Sequence, residues 1–221
     1  MGAIYLLRHG QASFGTADYD VLSPTGETQS KVLGDELRRR EVPVHAVWSG
    51  TLRRQLATAA ACLPAAGLDL PVRQDPRWNE YDHLGLVPEG QAADPSDLVA
   101  AARRFQGMLD DALRGWIQAG STVGHSGTWA EFSGGALAAI DDVFDDLPRG
   151  GNALVFTSAG VISAVCARLL DAPPAGYLAL NRTMANASIT KLVRGRSGVS
   201  LLSFNEHAHF EGERRELLSY R

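Results

Sequence analysis

The chain has 221 residues, 45% of them apolar and 21% charged, with a formal net charge of −4. That is the composition of an ordinary globular protein, and the acidic balance argues against a nucleic-acid or anionic-membrane partner, either of which calls for a basic face. No window approaches the ~20 apolar residues of a membrane helix, and the first residues lack the pattern of a secretory leader, so a cytoplasmic protein is expected.

In chain order, Ile4-Tyr5-Leu6-Leu7 reads as a buried strand that stops abruptly at Arg8, His9 and Gly10. Burying an arginine and a histidine at a strand end costs free energy unless something pairs with them. Residues 14–21 form a polar loop. Ser23 then serves as an N-cap and Pro24 as the first residue of a helix, with Val32, Leu33 and Leu37 at helical spacing through Arg40. Residues 44–48 alternate enough to be a second strand. Ser49-Gly50-Thr51 turns into a second helix whose first turn holds Arg53 and Arg54. Positive charge there opposes the helix dipole, which makes sense if an anion sits nearby.

Residues 71–74 make a short third strand. Residues 84–95, rich in Gly, Pro and Asp, read as a loop or lid of the kind that selects substrate. Two amphipathic helices follow at about 95–119 and 128–144, with Trp116 and Trp129 expected in the core. His125, between them, is expected to be exposed and is given no role. Residues 153–157 are a wholly apolar strand ending at Ser158-Ala159-Gly160, and a helix over 161–170 is stopped by Pro173 and Pro174. Two late strands, about 186–193 and 199–204, flank a Gly195/Gly198 turn. Cys62 and Cys166 lack partners at metal spacing and read as small core residues. His207 and His209 have the H-x-H spacing of metal ligands on one strand face, a weak signal by itself.

Strands alternating with helices imply an α/β fold: a three-layer α/β/α sandwich with a mostly parallel central sheet, in which ligands bind beyond the strand C-termini. Arg8, His9, Arg54 and Ser158 all fall at or just past such ends. The expected organisation is a single domain over residues 1–221, with a helical and loop insertion at about 84–127.

Leu7-Arg8-His9-Gly10-Gln11 resembles the RHG signature of the histidine phosphatase superfamily, the phosphoglycerate mutase-like group. Ser49-Gly50-Thr51-Leu52-Arg53-Arg54-Gln55-Leu56-Ala57-Thr58-Ala59 is similar to that family's second arginine motif, and it aligns Arg54, rather than Arg53, with the phosphate pocket. Thr157-Ser158-Ala159-Gly160 resembles the Ser-His-Gly-Gly motif, but Ser158 stands where the family has its second histidine. The resemblance implies that His9 is a nucleophile forming a phosphohistidine, with its second ring nitrogen fixed by a partner. It implies that Glu80 donates a proton to the leaving oxygen, with Asp82 as runner-up. Arg8 and Arg54 would hold the phosphate oxygens, Gln11, Ser13 and Ser158 would add neutral hydrogen bonds, and Gly10 would let the backbone approach the phosphate.

The implied function is a metal-independent phosphomonoester hydrolase acting on a small phosphorylated metabolite. No metal cofactor is needed, because the arginines supply the charge that a metal supplies elsewhere. Losing one preorganised donor costs ~10²–10³ in rate, small beside the ~10²¹ available for phosphate monoesters, so Ser158 is compatible with catalysis. Two alternatives stand beside this reading: a phospholigand-binding pseudo-phosphatase and a phosphoglycerate mutase. Leu84-Gly85-Leu86-Val87 in place of the family's mutase-type Trp-Glu-Gly region favours hydrolysis. A serine hydrolase is weaker still, because neither Ser126 nor Ser158 has both glycines of a nucleophile elbow. The sequence leaves a homodimer open.

Overall fold

The computed structural model describes residues 2–13, 20–86, 98–120, 122–123 and 126–220. Much of the expected lid at 84–95, and His125, lie outside the described residues.

β1 (Gly2–Arg8) lies inside a six-stranded sheet of order β3-β2-β4-β1-β5-β6. β2 (Ala46–Ser49), β3 (Val72–Gln74) and β4 (Asn152–Thr157) run parallel with it, β5 (Ile189–Gly195) pairs antiparallel to β1, and β6 (Gly198–Glu206) antiparallel to β5. The sheet is therefore mixed and mostly parallel, as expected.

Alternation along the central strands builds the layers, since successive side chains of a strand point to opposite faces. Ile4 and Leu6 of β1, with Ala153 and Val155 of β4, pack beneath α5 (Trp129–Asp146) and α6 (Ala159–Leu169). Ala3, Tyr5 and Leu7, with Leu154 and Phe156, face α1 (Pro24–Arg39) and α2 (Arg53–Ala66). β1 and β4 are apolar on both faces because both faces are covered. α3 (His83–Leu86) precedes α4 (Leu98–Ala119), and a third apolar cluster joins α4 and α6 to α7 (Pro174–Thr183) through Leu113, Trp116, Ala164 and Tyr177. Trp116 is buried as expected, whereas Trp129 is half-buried at the start of α5.

Several local expectations hold and some do not. Ser23 caps α1, its Oγ accepting from the Gly26 N–H at 3.1 Å, and Pro24 is the first helical residue. Cys62 and Cys166 are fully buried, and burial pushes the Cys166 thiol up to about 12. Pro173-Pro174 ends no element by itself: α7 begins at Pro174, because proline at a first helical position gives up an N–H that would have no partner there. β6 ends at Glu206, so His207 and His209 do not share a strand face, and their rings lie against the Asn205 and Ala187 carbonyls at 2.6 and 3.0 Å.

His209 is buried under the segment that supports His9: Ala187, whose carbonyl it contacts, donates its own N–H to the His9 carbonyl at 3.2 Å. Burial holds its imidazole down at about 4, against an ordinary 6.5. The unfolded chain therefore takes up the proton first, and stability is lost as pH falls from 6.5 towards 4. Thermal melts across this window should show that slope in the wild type and a flatter one in His209→Gln. An unchanged slope would remove His209 as its source.

Candidate active site

The site gathers at the C-terminal ends of β1, β2 and β4, where a parallel sheet leaves its crevice. β1 delivers His9 immediately past its last residue, with the His9 N–H donating to the Thr157 carbonyl at 2.9 Å. Arg8 and His9 are both only 5% exposed. Gly10 is needed for packing: a Cβ there would stand 2.4 Å from the Gly26 carbonyl oxygen of α1. The close approach at Gly10 in this structure is thus to a helix.

Two partners fix the state of the His9 ring. Nδ1 lies 2.7 Å from the Gly10 carbonyl oxygen, and Nε2 lies 3.2 Å from the Arg54 Nε–H. A carbonyl accepts and a guanidinium donates, so the neutral ring carries its proton on Nδ1 and presents the Nε2 lone pair to Arg54. Arg54 is itself held: its Nη1 pairs with Asp20 Oδ1 at 2.6 Å, while Asp20 Oδ2 accepts from the Arg53 N–H at 2.8 Å. The sequence expectation of an anion at the start of α2 is met by a carboxylate of the chain itself, which sequence reading missed.

Arg8 Nη1 donates to the Met184 carbonyl and, at 2.8 Å, to the Tyr220 carbonyl. Gln11 turns its side-chain oxygen to the Ser23 hydroxyl at 2.9 Å, and the Ser13 N–H donates to Val21. Ser158 is fully buried, and its Oγ accepts from Gln55 Nε2 at 2.9 Å, while the same amide donates to the Trp78 carbonyl. Glu80 stands on the other side of β4's end, with Oε2 accepting from the Gly160 N–H at 3.1 Å and Oε1 from the Tyr81 N–H at 3.2 Å. Gly160 is required here, for a Cβ would come within 2.1 Å of Glu80 Oε1.

A cleft of ≈ 680 Å³ opens beside these groups, lined by Arg54 and Glu80 and also by Leu52, Arg77, Asp82, Glu131 and Phe132. Its size suits a small organic ligand. The structure thus brings His9 and Arg54 into contact, sets Glu80 and Arg54 on one cleft, and ties Arg8, Gln11 and Ser158 to neighbouring chain. Gln55 and Gly160 stood inside the two motif stretches without being given a role, and Asp20, an acidic residue between the RHG motif and the helix it faces, was not singled out at all.

Residues 4–207 match the family model of the histidine phosphatase superfamily (branch 1). Among solved structures, a mycobacterial glucosyl-3-phosphoglycerate phosphatase is 25% identical with a TM-score of 0.67, over 93% of this chain and 99% of that one. A phosphoserine phosphatase from Entamoeba histolytica in complex with phosphoserine is 18% identical, TM-score 0.67, over 95% and 99%. A phosphoglycerate mutase from Bacillus anthracis is 20% identical, TM-score 0.65, over 94% of each chain. At these last two identities the likeness concerns the fold.

Proposed function

Because this chain belongs to branch 1 of the histidine phosphatase superfamily, we propose that it is a phosphomonoester hydrolase working through a phosphohistidine at His9. The observation that carries this reading is the divided environment of the His9 ring, with Nδ1 on a carbonyl and Nε2 turned to a guanidinium. A nucleophilic imidazole needs that tautomer. Two similar structures named as phosphatases of small phosphorylated metabolites support the substrate class.

In the proposed reaction, the Nε2 lone pair attacks phosphorus and the P–O bond to the alcohol breaks. Arg54, with Arg8, balances charge on the equatorial oxygens, an arrangement suited to a planar fork. Glu80 gives a proton to the departing oxygen, then takes one from the water that attacks the phosphohistidine, which returns His9 and releases phosphate. Gln11, Ser13 and Ser158 contribute neutral hydrogen bonds. Ser158 brings no positive charge, and its oxygen already serves Gln55, so its remaining contribution is its O–H.

The test is p-nitrophenyl phosphate turnover in the presence of EDTA, alongside 3-phosphoglycerate. Release of phosphate from the aryl ester is the expected result. Stabilisation by vanadate without turnover would favour a pseudo-phosphatase, and transfer between phosphoglycerate positions without net hydrolysis would favour a mutase.

A further inference from the structure

The described part of the cleft is unusual in how its charges are already spent. Three helix N-termini meet at the site, and each holds a carboxylate of the chain itself. Asp20 accepts from the Arg53 N–H of α2 at 2.8 Å, Glu80 from the Gly160 N–H of α6 at 3.1 Å, and Glu131 from the Thr128 N–H at the start of α5 at 2.7 Å. Helix N-termini are ready anion seats, and here they are filled. Glu131 is charged at neutral pH, because the Thr128 backbone and hydroxyl hydrogen bonds hold its carboxyl below the ordinary range.

The arginines are committed as well. Arg54 faces His9 and Asp20. Arg77 is paired twice, with Asp75 at 2.6 Å and Asp142 at 2.7 Å. Among the described residues, the cleft lining besides Arg54 and Glu80 therefore offers the carboxylates of Asp82 and Glu131, the apolar surfaces of Leu52 and Phe132, and no arginine without a carboxylate partner.

We propose that this cleft receives the alcohol part of the substrate and selects phosphomonoesters whose alcohol carries an apolar face and no carboxylate or second phosphate. This rests on the phosphatase reading and deepens it. Both phosphatases named above act, by their names, on carboxylate-bearing phosphates, so the inference separates this chain from them. Among the described residues, a second anion entering the cleft would meet Asp82 and Glu131, and the Arg77 guanidinium there is already paired with Asp75 and Asp142, whereas a neutral group would rest on Leu52 and Phe132.

The experiment uses three aryl phosphates with nearly equal leaving groups and different remote ends: 4-ethylphenyl phosphate (neutral), O-phosphotyramine (cationic) and 4-(2-carboxyethyl)phenyl phosphate (anionic). The anionic ester should show a kcat/KM about tenfold or more below the other two, the size of a like-charge contact near a protein surface. In the double variant Asp82→Asn, Glu131→Gln, which keeps the Gly85 and Thr128 hydrogen-bond acceptors, that ratio should fall to within about threefold, as the repulsion is removed. Equal or better turnover of the carboxylated ester by the wild type, or a ratio unmoved by the double variant, overturns the inference. If none of the three is hydrolysed, the phosphatase reading fails by itself, and the same ranking is read from thermal stabilisation by each ester. Equal stabilisation by all three, or none by any, overturns the inference in that case.

Discussion

His9→Ala should lower kcat for p-nitrophenyl phosphate by at least about 10⁴-fold, because removal of a covalent nucleophile abolishes the intermediate as well as a contact. The Nε2 lone pair that faces Arg54 is the one group in the described site with both the nucleophilicity and the fixed tautomer to attack phosphorus. The substitution leaves the His9 backbone bonds to Thr157 and Ala187 in place, so the variant should fold, with a melting temperature near that of the wild type. Labelled substrate should leave an acid-labile phosphoryl group on the wild-type chain and none on the variant. Activity within tenfold of the wild type would remove His9 from the chemistry.

Glu80→Gln should have an effect that depends on the leaving group. An alkyl oxygen departs only with a proton, so kcat/KM for an alkyl phosphate should fall by ~10²–10⁴-fold. Nitrophenolate departs unprotonated, so kcat/KM for p-nitrophenyl phosphate, which ends at phosphorylation of His9, should lose far less, while its kcat falls with the slowed attack of water. Glutamine keeps the oxygen that accepts from Gly160 or Tyr81, so the change isolates the proton from the position. Gly160→Ala makes the reverse test: its Cβ would stand 2.1 Å from Glu80 Oε1 and 2.5 Å from the Tyr81 ring, displacing the carboxylate without changing it. The same split between alkyl and aryl substrates is expected. Equal losses of kcat/KM on both substrates in both variants would mean that Glu80 gives no proton to the leaving oxygen.

The parts of this molecule that were legible from sequence share a physical cause. The apolar run before Arg8, the Ser23-Pro24 helix start and the apolar strand before Ser158 each have a local pattern, and each became the expected element. Arg54 was singled out because residues 49–59 resemble the family's second arginine motif. What was not legible is long-range. Asp20 reaches Arg54 across 34 residues and Gln55 reaches Ser158 across 103, and neither pairing leaves a periodic trace. Pro173-Pro174 misled because proline ends one helix and begins another equally well.

The Arg8–Tyr220 contact has a consequence for how the site comes into being. The two residues are 212 apart, and Gln29 is likewise tied to Leu217 and Ser219, while the Asn186 N–H donates to the Ser219 carbonyl. β1 finds its parallel neighbour only in β4, after five α-helices and two strands of intervening chain have been laid down among the described residues. Contacts of such separation carry the largest closure entropy and form late. The segment that carries His9 is synthesised 212 residues before Tyr220, so the Arg8 guanidinium waits for that much chain before it reaches this partner. A nascent or partly refolded molecule therefore has the sequence of the RHG motif without its geometry, and the arrangement proposed for catalysis comes together late in folding.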